Sequence, residues 1–399
     1  MLLEVLLFLL LGTALGVLMG LVPGIHPNMI LLLIPSLLLL NISPLMLIVF
    51  VVSLGITNVF LDYIPSILLG APDSSSALSV LPGHRLLLEG RGYQAIKLTL
   101  TGGLLSIFFC LAFLPLAILG IPQLYEFVRP FLHFVLIGIV AIMIATERKI
   151  KKIFWCTTCF LLAGIIGILS FKMPIDNTLI LFPVLAGFFG MPFLILQIKA
   201  KNTVPDQKLK DEKIPRKIML KSSLLGTVGG VFSGFLPGVG SSEIAGFATI
   251  DKNEKSFLIT LGAIAMANLV MSFMMLWLVG STRSGLAVAI DQILSIGQNE
   301  FLIIVAAILA SAGIAAMLTL VISKRMIKII QKADYSLISK IVVMMIVCLV
   351  FYFTGFLGLM ITGICCALGL FVNIMDIKRG IMMGVLIVPT ILFFAGINV

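Results

Sequence analysis

The chain has 399 residues, 60% of them hydrophobic and 11% charged, with a formal net charge of +10. A soluble domain is about 45–50% apolar and about 25% charged, and an apolar surplus of this size exceeds what one soluble core buries. Together with a mean hydropathy of +1.23, this excludes a soluble enzyme, a disordered chain and a disulfide scaffold. It leaves an all-α polytopic membrane protein, because the apolar runs are long and alternating strand patterns are absent.

The chain opens M-L-L-E-V-L-L-F-L-L. It has no basic n-region and no clear cleavage site, so a retained first helix is expected rather than a signal peptide. Apolar segments follow at 5–22, 28–40, 45–69, 98–120, 131–146, 153–171 and 178–198, and then at 222–236, 241–250, 256–279, 300–322, 337–354, 357–374 and 380–398. Segments 28–40 and 241–250 are short of the roughly 20 residues that a crossing helix needs. The stretches 5–40 and 222–250 are therefore expected to be re-entrant hairpins. Between the two sets lies the polar stretch 199–221, with eight Lys or Arg, three acidic residues and two prolines. It divides the chain into a first membrane repeat (1–198), a basic linker (199–221) and a second membrane repeat (222–399).

The basic residues cluster: 22 of the 27 Lys and Arg fall within 85–97, 148–152, 199–221, 324–332, Lys340 and 378–379. Clusters between apolar spans mark cytoplasmic loops. They are neither long nor interleaved with aromatics, so no nucleic-acid partner is expected. Cys156 and Cys159 form a C-x-x-C inside an apolar span and read as small helix residues rather than a metal or redox pair. No cofactor is expected beyond a coupling cation.

The halves repeat. Residues 16–30 and 230–244 share G-V-x-x-G-x-x-P-G at an offset of 214. Asn58 matches Asn268 at an offset of 210, and the same offset sets Gly70–Ala77 against Gly280–Ala287. With the basic stretches inside, the equivalent regions 85–97 and 291–300 fall on opposite faces, so the duplication is inverted, as in many secondary transporters. The C-terminus is then outside the cytoplasmic membrane, as is the N-terminus if 5–40 and 222–250 are re-entrant hairpins, and the linker is cytoplasmic.

Pro23-Gly24 and Pro237-Gly238 interrupt their helices, because Pro removes a backbone donor and Gly leaves helical geometry. Broken backbone at membrane depth is tolerated only against protein or water. The half-helix after a break presents free N–H groups to an anion. Polar residues follow each break: His26 and Asn28 in one half, Ser241, Ser242 and Glu243 in the other. The second pair of breaks carries Asp73, Ser74, Ser75 and Ser76, and Ser281, Thr282, Arg283 and Ser284. Arg283 is either a clamp for a substrate carboxylate or the partner of Asp73. Glu243, like Asp73, is a candidate carrier of the coupling proton or cation, or else caps a half-helix. Asp62 is either functional or interfacial. Asn58 and Asn268 either face substrate or bond between helices. His26 reads as a cap.

These residues resemble the large permease subunit of the tripartite tricarboxylate transporters. Pro23-Gly24-Ile25-His26 and Pro237-Gly238-Val239-Gly240 match that family's repeated P-G-x-G motif. Ile67–Ala77, then Pro82-Gly83, Gly90, Gly92-Tyr93 and Ala95, match a second segment. His26, Gly70, Asp73 and Pro82 depart from the usual residues and mark a divergent, archaeal-type branch. The resemblance implies inward movement of a small carboxylate, driven by a proton or sodium gradient, with an extracytoplasmic solute-binding protein and a small membrane subunit as partners. A homo-oligomer is also compatible with it. The rival readings are a membrane-embedded enzyme acting on lipid or peptide and a non-transporting scaffold subunit. No H-E-x-x-H, G-x-S-x-G or spaced Asp/His set favours the enzyme.

Overall fold

The computed structural model describes residues 2–22, 27, 30, 34–40, 42–69, 80–147, 149–200, 205–209, 214–235, 244, 253–281, 284–332 and 335–397. These residues form helices and their connections, with no strand among them. In chain order the helices are α1 (Leu2–Leu21), α2 (Ile34–Leu38), α3 (Pro44–Leu61), α4 (Tyr63–Leu68), α5 (Val80–Leu88), α6 (Gly92–Ala112), α7 (Leu114–Val128), α8 (Leu132–Ala145) and α9 (Ile150–Phe171). There follow α10 (Asn177–Leu185), α11 (Met191–Ala200), α12 (Arg216–Phe235), α13 (Glu254–Val279), α14 (Gly285–Ile293), α15 (Gln298–Lys332), α16 (Tyr335–Ile374) and α17 (Gly384–Phe394). Among the described residues, nine helical stretches are long and apolar enough to cross a membrane. The chain is thus the all-α polytopic membrane protein that its composition requires.

Helices in a bilayer gain little from burying apolar surface against one another, so they pack where small residues let backbones approach. On α1 that surface is Gly12, Gly16 and Gly20, one per turn. A Cβ at Gly16 would lie 2.5 Å from the Leu54 carbonyl oxygen, and one at Gly20 would lie 2.7 Å from Leu61 Cβ and 3.0 Å from the Asn58 carbonyl oxygen. Gly12 meets Phe50 and Ser53 in the same way. The contact numbers rise together along both helices, so α1 and α3 run parallel. The second half repeats this with Gly226, Gly230 and Gly234 of α12. A Cβ at Gly226 would lie 2.5 Å from the Thr260 carbonyl oxygen, one at Gly230 2.6 Å from that of Ile264, and one at Gly234 2.5 Å from Met271 Cγ. The two glycine triplets stand at the 214-residue offset of the sequence repeat.

Because α1 and α3 are parallel, the chain between Leu21 and Pro44 comes back to the side on which α1 starts. α1 and α12, the first parts of the stretches 5–40 and 222–250, are helices of 20 residues each. The rest of the two expected hairpins lies largely outside the described residues.

α3–α4 crosses α13 in the opposite sense. Gly55 faces Leu269, and Tyr63, eight residues on, gives its hydroxyl hydrogen to the carbonyl oxygen of Leu261, eight residues back, at 3.3 Å. Around this crossing α6 packs on α13 and α15 packs on α3. Gly102 of α6 lies against the Ile259 carbonyl of α13, and Gly262 of α13 lies against the Thr99 backbone of α6.

α16 is two arms. Its first arm climbs α10–α11 backwards, from Ser336, which donates to the Ile198 carbonyl oxygen at 3.4 Å, to Phe353, whose ring stands 6.4 Å from that of Phe182. After Gly355, with φ 64°, its second arm descends alongside the same helices. Thr362 donates to the Pro183 carbonyl oxygen at 3.2 Å, and Gly369 packs on the Phe188 carbonyl. The reversal at Gly355 separates the apolar segments 337–354 and 357–374.

The basic stretches meet on one face. Gly90 accepts from the Lys208 N–H at 2.7 Å, and the Gln207 side chain bonds Gly92 N and the Leu87 carbonyl oxygen at 2.8 and 2.7 Å. This ties the linker to the α5–α6 turn. Arg85 pairs with Glu254 at 2.6 Å, and Lys324 lies over the Tyr93 ring at 5.3 Å. Lys152 pairs with Asp376 at 2.7 Å, which holds the Asp376 carboxyl below its usual range. On the same face Arg379 lies over the Phe193 ring at 5.2 Å, and His84 meets that ring edge-on at 5.5 Å. Burial lowers both, His84 below its ordinary value and Arg379 to about 10.

The α1–α3 contact yields a prediction. Gly16→Val pushes a branched side chain into the Leu54 carbonyl and costs about 1–3 kcal/mol of overpacking, read as a lower melting temperature of the purified protein. Gly120→Val, with nothing within 4 Å of its Cβ, leaves melting unchanged.

Candidate functional site

The α3–α13 crossing sits at mid-span. The membrane stretch Pro44–Leu68 has 25 residues and Glu254–Val279 has 26, so Asn58 and Asn268 each lie about two residues from its centre. The register set by Gly55–Leu269 and Tyr63–Leu261 places the two asparagines within about one helical turn of each other along the axis. Asn58 is buried and Asn268 half-buried. The structure thus sets the pair that the sequence matched at an offset of 210 at similar depths on two crossing helices.

Each asparagine also stands beside the C-terminal end of a glycine-lined helix. The last turn of α1 lies against Asn58 and Asp62, since a Cβ at Gly20 would be 3.2 Å from Asp62 N. The last turn of α12 lies against Asn268, whose Oδ1 is 3.9 Å from a Cβ built on Gly234. α1 and α12 therefore end just before Pro23 and Pro237, beside the same crossing. The last carbonyls of such helices have no partner within the helix and form the negative end of its dipole.

The α3–α4 junction carries the densest buried polarity here. Thr57, Asn58, Asp62, Tyr63 and Ser66 are all buried within ten residues. The Thr57 hydroxyl has no hydrogen-bond partner among the described residues. Pro65 has no N–H to give the Leu61 carbonyl, one turn back. Thr57 and Tyr63 escaped the sequence reading. The signal that finds Thr57 is its place beside the glycine stripe, facing Gly16 at 2.8 Å from a built Cβ.

The second break of the second half is described at both ends. Gly280 closes α13 with φ 63°, and Ser284 caps α14 by accepting from Ala287 N at 3.2 Å. Ser284 also shares a hydrogen bond with Ser272 at 2.6 Å, and Ser281 meets the Tyr125 hydroxyl at 3.4 Å. Both serines thus hold structural contacts at the end of the crossing helix. The other expected site residues lie outside the described residues: Pro23, Gly24, His26, Asn28, Asp73, Ser74, Ser75, Ser76, Pro237, Gly238, Ser241, Ser242, Glu243, Thr282 and Arg283.

The described helices, long and apolar and with Thr57, Asn58 and Asp62 buried where α3–α4 crosses α13, make a polytopic membrane protein with a polar interior. The model of the tripartite tricarboxylate transporter TctA family matches residues 6–384, and the chain belongs to that family. This is a transporter family rather than an enzyme family. The chain is also similar to an uncharacterized protein of the archaeon Methanocaldococcus jannaschii, 32% identical over 362 residues that cover 86% of this chain and 88% of the relative. No solved structure matches.

The cap predicts a graded pair of effects. Ser284→Ala removes both the cap and the Ser272 bond and costs about 0.5–2 kcal/mol. Ser281→Ala removes one long contact and costs less. Thermal melting of the two variants beside wild type measures the difference.

Proposed function

We propose that the protein is a secondary active transporter that moves a small carboxylate-bearing solute across the cytoplasmic membrane, driven by a proton or sodium gradient. Residues 1–198 and 222–399 act as two inverted repeats and expose a mid-membrane site alternately to either face. The observation that carries this reading is the α3–α13 crossing. Helices that correspond at an offset of 210 run antiparallel and hold Asn58 and Asn268 at similar depths near mid-span. Each is flanked by a parallel glycine-lined helix that ends beside it. Family membership favours the substrate class.

The substrate lies against Asn58 and Asn268, the half-helices that follow Pro23-Gly24 and Pro237-Gly238, the hydroxyls of 74–76 and 281–284, and Arg283 as the carboxylate clamp. Asn28, Ser241 and Ser242 line the half-helix starts. In this account Asp73 and Glu243 are the coupling residues read from the sequence. The shared face of the basic stretches supports a cytoplasmic linker with both termini outside. A small membrane subunit and an extracytoplasmic solute-binding protein are the expected partners.

Reconstitution into liposomes, with a panel of carboxylates under imposed proton and sodium gradients, tests the proposal. At least one carboxylate should accumulate against its gradient, and Arg283→Ala should reduce that uptake at least tenfold without changing melting. Absence of gradient-driven accumulation for every carboxylate would overturn the reading.

A further inference from the structure

We infer that Arg379 holds a second anion site, which takes a carboxylate of the transported solute on the face where the basic stretches meet. This deepens the proposed function, on which it rests, by adding a docking point away from the mid-span crossing.

Three elements build the place. Arg379 opens the short helical turn Arg379–Met383 that precedes α17. Its guanidinium lies over the Phe193 ring of α11 at 5.2 Å, and His84 of α5 meets that ring edge-on at 5.5 Å. His84 Nδ1 stands 3.3 Å from the Ile67 carbonyl oxygen of α4, and Gly83 lies against the Ile67 side chain. Arg379 is thus beside the point where α4 and α5, the helices on either side of residues 70–79, come together. His84 and Phe193 belong to the first repeat and Arg379 to the second. The site therefore lies where the repeats meet, as substrate sites of repeat-built transporters do.

The guanidinium is half-buried and has no hydrogen-bond or carboxylate partner among the described residues. Asp376, three residues before it, is taken by Lys152 at 2.7 Å. Lys378, its neighbour, donates to the Thr146 hydroxyl at 2.6 Å and likewise meets no carboxylate among the described residues. Two adjacent cations without an anion raise the local concentration of negative solutes. Stacking on Phe193 engages the flat face of the guanidinium and leaves its N–H groups at the edge. Those groups form the fork that bonds a carboxylate bidentately. Taking them out of water without an acceptor is costly, and a bound carboxylate supplies the acceptors.

Phosphate oxygens share this chemistry, so a phospholipid headgroup is the other source of such a ligand. The solute carboxylate is favoured by place, because the guanidinium stands with α5 and α11 at the joint of the repeats. A solute leaving the crossing toward the linker face meets Arg379 there.

Modification by phenylglyoxal, an arginine reagent, tests the site on the purified full chain in detergent, with each arginine followed by peptide mass spectrometry. The probes are citrate and succinate, against sodium chloride at matched ionic strength. At least one of the two carboxylates should slow modification of Arg379 at least fivefold and leave that of the exposed Arg216 unchanged. Protection should persist in Arg283→Ala, which separates the site from the mid-span clamp. Protection by neither carboxylate, equal protection by chloride, or its loss in Arg283→Ala overturns the site. Protection by phosphatidylglycerol added to the micelles, and by neither carboxylate, assigns Arg379 to a headgroup and overturns it as well. In liposomes Arg379→Gln should slow gradient-driven uptake at least threefold, and Arg379→Lys, which keeps the charge without the fork, should restore it only in part. Unchanged uptake in a folded Arg379→Gln overturns the role in transport, and the wild-type protection assay decides the site if that variant does not fold. Carboxylate accumulation without protection of Arg379 would contradict the site and leave the transport reading standing. Protection without accumulation under any gradient would do the reverse.

Discussion

Backbone polar groups in a bilayer have no water to turn to, so a chain that breaks a helix at mid-membrane has to surround the break with protein. In this protein the packing around the ends of α1 and α12 is built on glycine. Gly12, Gly16 and Gly20 bring α1 onto α3, and Gly226, Gly230 and Gly234 bring α12 onto α13, with backbone against backbone at each turn. These contacts hold the ends of α1 and α12 beside Asn58 and Asn268. The antiparallel α3–α13 crossing then joins the two assemblies. A side chain at any of the inner glycines separates a broken helix from the crossing that shields it.

The repeat explains why the site is nearly, but not fully, symmetric. Packing is duplicated: parallel glycine-lined pairs, α6 on α13 and α15 on α3, and a mid-span asparagine in each half. Chemistry is not. Thr57 and Asp62 belong to the first half alone, and their counterparts Ala267 and Ser272 are apolar and already bonded, respectively.

Much of this was legible in the sequence, for physical reasons. Membrane helices need long apolar runs, so composition gave the fold class. Close packing needs small residues at fixed spacing, so Gly16 and Gly20 could be matched to Gly230 and Gly234. The match stopped one turn short, because Gly12 and Gly226 lie outside the shared Pro-Gly motif. The gap between 337–354 and 357–374 is the reversal at Gly355, which a glycine with φ 64° makes possible. The role of Tyr63 was not legible, since its partner is a backbone oxygen about 200 residues away. Nor was the orphaned Thr57 hydroxyl, because threonine in a helix normally bonds its own preceding turn, as Thr354 does to Val350. Ser281 and Ser284 read as site residues from their polarity at the repeat-matched second break, and the structure adds a cap and cross-helix bonds.

The central claim is that the two halves are related by a pseudo-two-fold axis in the membrane plane, and single cysteines at equivalent turns test it most directly. Glu89→Cys lies in the exposed α5–α6 turn and Ser295→Cys in the corresponding exposed turn between α14 and α15. In a cysteine-depleted background, an impermeant thiol reagent added to intact cells should label Ser295→Cys and spare Glu89→Cys. Reagent applied to inverted vesicles should give the opposite pattern. Labelling of both positions from the same side would contradict the inverted architecture and the alternating site built on it.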